Sequence, residues 1–255
     1  ELDALAQLTG AQGVAAIDGG GQQAYRLLRV QSRAGAADFC AGAGLDCAFV
    51  PADLARERVC VVAMDMDSTL ITIECIDEIA DLQGLRAEVS AITRSAMRGE
   101  IDFRESLTRR VALLAGLPVA ALQQVYDERL RLSPGAERML AGFKAVGAKT
   151  LLVSGGFTFF TSRLERRLGL DATLGNELDI VDDRLTGRIL GEIVDAQAKA
   201  ARLAAMRREH GRSGGLVVAI GDGANDLPML READVAVAYR AKPVVREQAD
   251  YALNV

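Results

Sequence analysis

The chain has 255 residues, of which 50% are hydrophobic and 25% are charged, with a formal net charge of −5. This length predicts one large domain or two moderate ones, with enough apolar residues for a well-buried core. The acidic balance offers no basic surface for nucleic acid, and no apolar run reaches the roughly 18 residues that a membrane span needs. We therefore expect a protein that binds neither nucleic acid nor membrane.

Cysteine and histidine usage excludes several kinds of site. The four cysteines match no zinc or redox spacing and follow no secretory signal pattern, so we expect reduced thiols and a cytoplasmic location. The single histidine, His210, is predicted to lie at an exposed helix end. Paired-histidine metal sites are excluded, and a Ser-His-Asp triad is disfavoured. The chemistry must then depend on carboxylates, lysine, serine and a metal ion.

Residues 1–57 carry no motif with recognisable chemistry. Residues 24–32 and 47–50 are predicted strands, and the three glycines at 19–21 predict a turn. A small α+β appendage is the simpler interpretation of this segment. A diverged or truncated regulatory module that binds a small ligand is the alternative.

The short apolar run Val59–Met64 predicts a strand buried on both faces, which is typical of a parallel sheet. Asp65 and Asp67 follow it, and side chains two residues apart on an extended backbone point the same way. Ligands bind beyond the carboxyl ends of strands in open parallel sheets, so both carboxylates lie where such a sheet does its chemistry. Because the two carboxylates repel each other, a hard divalent cation is the expected neutralising partner.

From residue 74 to about residue 133 the apolar spacing becomes helical, for example at Ile76, Ile79 and Ala80. Asp102 is placed to cap a helix that continues through Val111. Several short helices between two strands of one sheet predict an inserted cap domain. Such caps exclude water and select substrates.

Strands and helices then alternate to the end of the chain, which predicts a doubly wound parallel α/β sheet with right-handed crossovers. The predicted strands are residues 150–153, 178–181, 185–193, 216–220 and 235–238, with a hairpin turning at Asp182 and Asp183. The predicted domains are an N-terminal α+β segment at 1–57, a core at 58–73 and 134–255, and a helical cap at 74–133.

Polar side chains follow three of the predicted strands, and they converge in one cleft if these strands are neighbours. One strand that ends in Asp commonly marks a solvated turn, but three such ends in one chain favour a site. The three groups are Asp65 with Asp67, Ser154 with Gly155, and Asp222 with Asn225 and Asp226.

Lys199 is one of only four lysines and precedes the third of these strands, in a predicted helix. An ammonium group is a compact point charge that can lie against a carboxylate and a phosphate together. A solvated helix lysine is the alternative interpretation.

These motifs, in this order, resemble the four signature motifs of the haloacid dehalogenase superfamily: residues 65–70 (Asp-Met-Asp-Ser-Thr-Leu), Ser154, Lys199 and residues 221–226 (Gly-Asp-Gly-Ala-Asn-Asp). Within it the chain closely resembles the phosphatases that act on O-phospho-L-serine. This closer match covers about residues 58–255 and depends on Glu74 with residues 76–80, Arg110 with its apolar neighbours, residues 153–157, and residues 241–243 (Ala-Lys-Pro).

The resemblance implies a Mg²⁺-dependent hydrolysis of O-phospho-L-serine to L-serine and phosphate, the last step of serine synthesis, through an aspartyl-phosphate intermediate. Asp65 is the implied nucleophile, and Asp67 is the implied general acid and then general base. The implied Mg²⁺ ligands are a side-chain oxygen of Asp65, the backbone carbonyl of Asp67 and the side chain of Asp222. Asp226 is implied to orient a metal-bound water.

The resemblance also implies the substrate contacts. The phosphoryl oxygens are held by Ser154, the Gly155 amide and Lys199. Glu74 and Arg110 meet the ammonium and the carboxylate of the amino-acid end, although plain helix-surface charge is the alternative interpretation of this pair. The implied apolar lining and the further substrate contact are Met97, Phe103 and Asn225.

Two alternatives of function remain at this point. One is a related phosphatase or phosphotransferase of different specificity, and the other is a non-catalytic protein that binds a metabolite on the same fold. We expect a monomer or a homodimer that acts on a small-molecule substrate.

Overall fold

The computed structural model describes residues 1–17, 23–51 and 54–254, so the turn predicted at residues 19–21 lies outside the described ranges. The strands are β1 (Gly13–Ile17), β2 (Ala24–Leu28), β3 (Val59–Met64), β4 (Lys149–Phe157), β5 (Ala172–Val181), β6 (Arg184–Leu190), β7 (Leu216–Gly221), β8 (Val235–Tyr239) and β9 (Tyr251–Leu253). The helices are α1 (Leu2–Thr9), α2 (Ala36–Gly42), α3 (Cys75–Leu82), α4 (Arg86–Met97), α5 (Phe103–Ala112), α6 (Val119–Gln124), α7 (Ala136–Ala145), α8 (Thr158–Leu168), α9 (Ala196–His210), α10 (Leu227–Arg231) and α11 (Pro243–Arg246).

A seven-stranded sheet in the order β6-β5-β4-β3-β7-β8-β9 forms the centre of the molecule. Its strands pair in parallel except for β6, which pairs antiparallel with β5 at one edge. All six residues of β3 are buried, and from Val61 to Met64 they alternate between two apolar cores. Val62 and Met64 pack in one core, and Val61 and Ala63 pack in the other. The prediction of a doubly wound parallel sheet with a doubly buried first strand is confirmed.

Strand β4 is longer than predicted, because it continues through Gly155 and Gly156 to Phe157. Its register against β5 shifts between Val153 and Phe157, so the intervening residues leave the regular ladder. The predicted hairpin of β5 and β6 is present, although β5 begins at Ala172, six residues before the predicted strand. The sequence did not predict β9, which is a three-residue strand and too short to show a periodic pattern.

The N-terminal segment has a two-stranded antiparallel sheet of its own, β1 with β2, together with α1 and α2. The predicted strand at residues 24–32 is present as the shorter β2. The strand predicted at residues 47–50 is wrong, since these residues have no ladder partner, and Val50 is 58% exposed. A four-residue apolar run does not by itself specify a strand.

Helices α3 to α6 occupy the chain between β3 and α7. The two ends of this segment meet, because Ile71 pairs with Leu132 and the Thr72 amide donates to the Arg131 carbonyl. The predicted N-cap of α5 is present, with the Asp102 carboxylate accepting a hydrogen bond from the Glu105 amide at 2.8 Å. No helix in the described ranges combines the length and the apolar character of a membrane span.

The Asp102 N-cap gives a test of the local folding argument. Asp102→Ala leaves the Glu105 amide without its side-chain acceptor, so we expect the free energy of unfolding to fall by about 1 kcal/mol in urea denaturation. Asp102→Ser, which retains a capping oxygen, is the matched control. Equal losses in the two variants would contradict a capping role.

Candidate active site

Asp65 lies at the carboxyl end of β3, between the ends of β4 and β7. Its amide donates to the Ile220 carbonyl at 3.0 Å, which continues the ladder of β3 with β7. Its Oδ1 accepts hydrogen bonds from the Met66 amide at 2.7 Å and from Lys199 Nζ at 2.8 Å. The side chain is buried, and these two contacts fix its orientation through Oδ1.

The turn after Asp65 places the second carboxylate. Ser68 has a positive φ of 55°, which is uncommon for a residue with a side chain and sharply redirects the chain. Asp67 Oδ1 accepts a hydrogen bond from the Cys75 amide at 3.0 Å, and Ser68 Oγ donates to Glu74 Oε1 at 2.7 Å. These contacts tie the turn to the start of α3. Burial and the nearby Glu74 charge raise the pKa of Asp67 to about 7.

Lys199 is 1% exposed and lies on α9, one turn after the Asp195 N-cap. Its Nζ contacts Asp65 Oδ1 and Asp226 Oδ1, both at 2.8 Å. Although burial disfavours the ammonium, the charges of these two carboxylates raise the pKa of Lys199. The structure thus places this lysine beneath the site as a buried cation, and the interpretation as a solvated helix lysine is wrong.

The loop after β7 carries Asp222 and Asp226. Asp226 Oδ2 accepts hydrogen bonds from the amides of Asp222 and Gly223 at 3.2 and 3.1 Å, while Oδ1 accepts from Lys199. Asp222 Oδ1 accepts a hydrogen bond from Thr69 Oγ1 at 3.1 Å, which joins this loop to the turn after β3. A Cβ on Gly221 would lie 2.6 Å from Asp226, so the close approach of this carboxylate requires glycine.

Oxygens of Asp65, Asp222 and Asp226 lie within 4.8 Å of one another. Burial and the charge of Asp226 raise the pKa of Asp222 to about 6, and the same two causes raise the pKa of Asp65 well above its ordinary value. Crowded carboxylate oxygens are the ligands that hard divalent cations prefer, so the residues present fit such an ion. Asp65 and Asp222 are the better direct ligands, since Asp226 already accepts three hydrogen bonds.

Ser154, Gly155 and Gly156 form the loop at the end of β4. Ser154 is buried, and its Oγ accepts a hydrogen bond from the Gly156 amide at 2.8 Å. A Cβ on Gly156 would lie 2.8 Å from Asp67 Oδ2, so this glycine allows the loop to approach the carboxylate. The loop therefore lies directly beside the turn after β3.

Asn176 on β5 holds this loop in place and was missed by sequence reasoning. Its Nδ2 donates to the Gly155 carbonyl at 2.8 Å, and its Oδ1 accepts from the Val194 amide at 2.8 Å. The side chain is 1% exposed, and both ends of its amide are paired. Asn176 lies two residues before the strand predicted at 178–181, so no pattern in the sequence pointed to it.

A cavity of about 330 Å³ opens above these groups. This is the lower end of the size of ordinary small-molecule sites. Of the predicted site residues, Ser154, Lys199 and Asp226 lie outside its lining and are fully buried. The predicted site residues that line the cavity are Asp65, Asp67, Glu74, Phe103, Arg110, Gly155, Asp222 and Asn225.

Met97 does not line the cavity, so its predicted place in the apolar lining is wrong. It is 72% exposed and is the last residue of α4. Thr93, one turn earlier, does line the cavity, so Met97 lies about 6 Å further along the helix. The sequence match gave its position in the chain, whereas the lining depends on where α4 passes the cavity.

The lining of the cavity carries both signs of charge. Burial lowers the pKa of the Arg110 guanidinium, and the charges of Asp77 and Glu74 oppose this effect. Asp77 and Lys242 also line the cavity, and sequence reasoning assigned neither of them to the site. Both belong to segments already matched to the family, residues 76–80 and 241–243, which was the available signal. The cavity can thus bind a ligand that has both positively and negatively charged groups.

The raised pKa values of Asp67 and Asp222 make a prediction about stability. The folded state keeps protons that the unfolded state releases near pH 4, so unfolding releases protons and stability falls as pH rises through about 6 and 7. We expect the melting temperature of the metal-free protein to decrease from about pH 5 to about pH 8.

Saturating Mg²⁺ should remove most of this decrease, because the cation replaces the protons. Asp222→Asn is the matched control, in which the effect of Mg²⁺ at the higher pH should be much smaller. A melting temperature that rises with pH in the metal-free protein would contradict this account of the site.

The comparisons with known proteins agree with one another. Residues 62–231 match the haloacid dehalogenase-like hydrolase family. A phosphoserine phosphatase from Polaromonas sp. is 54% identical over 207 residues, which cover 79% of this chain and 88% of the relative. The structure of a probable phosphoserine phosphatase from Vibrio cholerae, in unliganded form, is 36% identical with a TM-score of 0.81, and covers 99% of this chain and 78% of that one.

A further structure is that of a phosphoserine phosphatase as an analogue of its phospho-aspartyl intermediate. It is 36% identical, with a TM-score of 0.70, and covers 78% of this chain and 94% of that one. Together with the buried Lys199–Asp65 pair and the carboxylates at the ends of β3 and β7, these matches assign the family. The chain belongs to the haloacid dehalogenase-like hydrolases, together with these phosphoserine phosphatases.

Proposed function

We propose that this chain is a Mg²⁺-dependent phosphatase that hydrolyses O-phospho-L-serine to L-serine and phosphate, with Asp65 as the nucleophile. The observation that carries the proposal is that Lys199 fixes Asp65 at the floor of a cavity whose upper wall holds Glu74 and Arg110. The similarity to phosphoserine phosphatases supports the same substrate.

Asp65 has the geometry of a nucleophile that needs positioning and no general base. Two hydrogen bonds hold its Oδ1, which leaves Oδ2 to attack phosphorus as the bond from phosphorus to the serine oxygen breaks. When bound, Mg²⁺ supplies positive charge that lowers the pKa of the neighbouring carboxylates and offsets the charge of the phosphoryl oxygens. Asp65 and Asp222 would hold it through their side chains, and Asp67 through its backbone carbonyl.

Asp67 would transfer the protons. In the first step its carboxylic acid gives a proton to the departing serine alkoxide. In the second step its carboxylate takes a proton from the water that attacks phosphorus, as the bond from phosphorus to the Asp65 oxygen breaks. One group can serve both steps when its pKa lies near the working pH, and the pKa of Asp67 is raised to about 7.

The transferring phosphoryl group would be held by donors that are already in place. The Ser154 hydroxyl accepts from the Gly156 amide, so its own proton is free to be donated to a phosphoryl oxygen. Lys199 adds a buried positive charge, and Asn176 fixes the Gly155 peptide through its carbonyl. Preset donors of this kind lower the barrier where negative charge gathers in the transition state.

The amino-acid end of the substrate would be recognised through its two charges. Its carboxylate can pair with the Arg110 guanidinium, which forms two parallel hydrogen bonds with such a group, and its ammonium can pair with Glu74. The ring of Phe103 lies against Gly155 of the phosphate loop (residues 154–156), and Asn225 would add a further contact. A phosphate monoester without an amino-acid end would leave both Arg110 and Glu74 without a partner of opposite charge.

Four expectations from the sequence remain proposals. They are the division into a core and a cap at residues 74 and 134, a regulatory ancestry of residues 1–57, a monomer or homodimer, and a cytoplasmic location.

The roles of the two aspartates can be separated by substitution. Asp65→Asn should abolish phosphate release from every substrate, because an amide is a poor nucleophile. In a single-turnover assay, Asp67→Asn should reduce the rate constant of the first step strongly for phosphoserine and much less for p-nitrophenyl phosphate, whose leaving group departs without a proton. Near-wild-type turnover in Asp65→Asn, or equal losses on both substrates in Asp67→Asn, would contradict these roles.

The charges that contact the amino-acid end can be tested by substrate comparison. Glu74→Gln and Arg110→Ala should raise KM for phosphoserine by about 10-fold or more, as expected for the loss of a charge-assisted pair, and leave KM for p-nitrophenyl phosphate nearly unchanged. Arg109→Ala is the matched control, because Arg109 is the adjacent arginine and pairs with Glu105 within α5. If both substrates respond equally, the specificity proposal fails.

A further inference from the structure

Helix α5 is joined to the core by an ion pair that no step of the proposed chemistry uses. Arg104, on the first turn of α5, donates from Nε and Nη2 to Asp195 Oδ2 at 3.0 and 2.8 Å. Its Nη1 also lies 3.7 Å from Glu192. The pair links residues 91 positions apart, across the boundary between the predicted cap and the core.

The same carboxylate begins the helix that carries Lys199. Asp195 Oδ1 accepts hydrogen bonds from the amides of Gln197 and Ala198 at 3.1 and 3.0 Å, and its carbonyl accepts from the Lys199 amide at 3.1 Å. One oxygen of Asp195 therefore caps α9 while the other holds Arg104. Asp195 thereby joins α5 to α9, the helix that carries the buried Lys199.

Helix α5 also carries Phe103 and Arg110, which contact the substrate in the proposed function. A Cβ on Gly155 would lie 3.0 Å from the Phe103 ring, so the ring rests directly on the phosphate loop. Arg110 lies on the same helix, seven residues after Phe103, which is about 10 Å along the axis. Because a helix of this length moves as one body, a shift at Arg104 displaces the Arg110 guanidinium relative to the phosphate loop.

We propose that Arg104 and Asp195 form a tie that fixes the distance between the Arg110 guanidinium and the phosphate loop, and so determines the preference for substrates with an amino-acid end. This proposal rests on the proposed function of the site. Both residues are positioning residues, since they act through Arg110 and Phe103. The pair is partly exposed, with side-chain exposures of 49% and 24%, so solvent screens it and its effect is a few-fold.

Kinetics of three variants test the tie. Arg104→Gln removes the charge and keeps most of the side chain, and Asp195→Asn removes the charge while retaining an N-cap residue for α9. We expect each to raise KM for phosphoserine about 2- to 5-fold, with little change in kcat and little change in KM for p-nitrophenyl phosphate. The double variant should be no worse than either single one, because both changes remove the same contact.

Two controls distinguish the tie from a general effect of charge. Arg109→Gln removes a positive charge from the same helix without a contact to Asp195, and it should leave KM for phosphoserine unchanged. Added NaCl should raise KM for phosphoserine more in the wild type than in the double variant, because salt screens the tie. Additive losses, equal effects on both substrates, or variants that behave like Arg109→Gln would overturn the proposal.

Amide hydrogen exchange gives a readout that needs no activity. In Arg104→Gln the amides of α5 should exchange several-fold faster than in the wild type, while those of α8 and β3 should not change. Unchanged exchange in α5 would overturn the tie. If the wild type releases no phosphate from phosphoserine, the proposed function fails, and the exchange experiment still decides whether the tie holds α5.

Discussion

The site depends on one buried ammonium group, that of Lys199, held between Asp65 and Asp226 at 2.8 Å from each. A charge this deep is stable only when it is paired and hydrogen-bonded. With Asp222 added, three carboxylates face one ammonium, so two negative charges remain when all are ionised. That excess matches a divalent cation. Lys199 thus fixes the orientation of Asp65 and allows the three carboxylates to lie close together. Its single charge does not neutralise them, so a net negative charge remains for a metal ion.

The order of the strands explains how these groups meet. β3 lies between β4 and β7, so the carboxyl ends of three parallel strands place the Asp65 turn, the Ser154 loop and the Asp222 loop side by side. The loops then interlock through short polar contacts, such as Thr69 with Asp222 and Cys75 with Asp67. Asn176 joins the Ser154 loop to the segment before α9. The parallel sheet therefore positions these loops, and helices α3, α4 and α5 contribute further residues to the lining of the cavity.

Much of this arrangement could be predicted from local patterns. The apolar run of β3 predicted its double burial, because a strand covered on both faces has no polar alternation. The motif at 221–226 predicted a loop of carboxylates, and Asp102 predicted the start of α5. The two wrong predictions have the same cause: an apolar pattern does not show which other part of the chain lies next to it. The segment at 47–50 has an apolar pattern but no neighbouring strand, and Met97 has an apolar side chain on a turn that passes beyond the cavity.

The sequence by itself determined the kind of sheet, the strand ends that carry the polar groups, and the types of residue available for chemistry. These follow from short-range periodicity and from the alternation of strands with helices. Only the tertiary structure decided which groups pair: that Lys199 is buried between two carboxylates, that Asn176 holds Gly155, and that Arg104 reaches Asp195. Such contacts join residues tens of positions apart, and their distances depend on the strand order and on the path of α5, which no local pattern encodes.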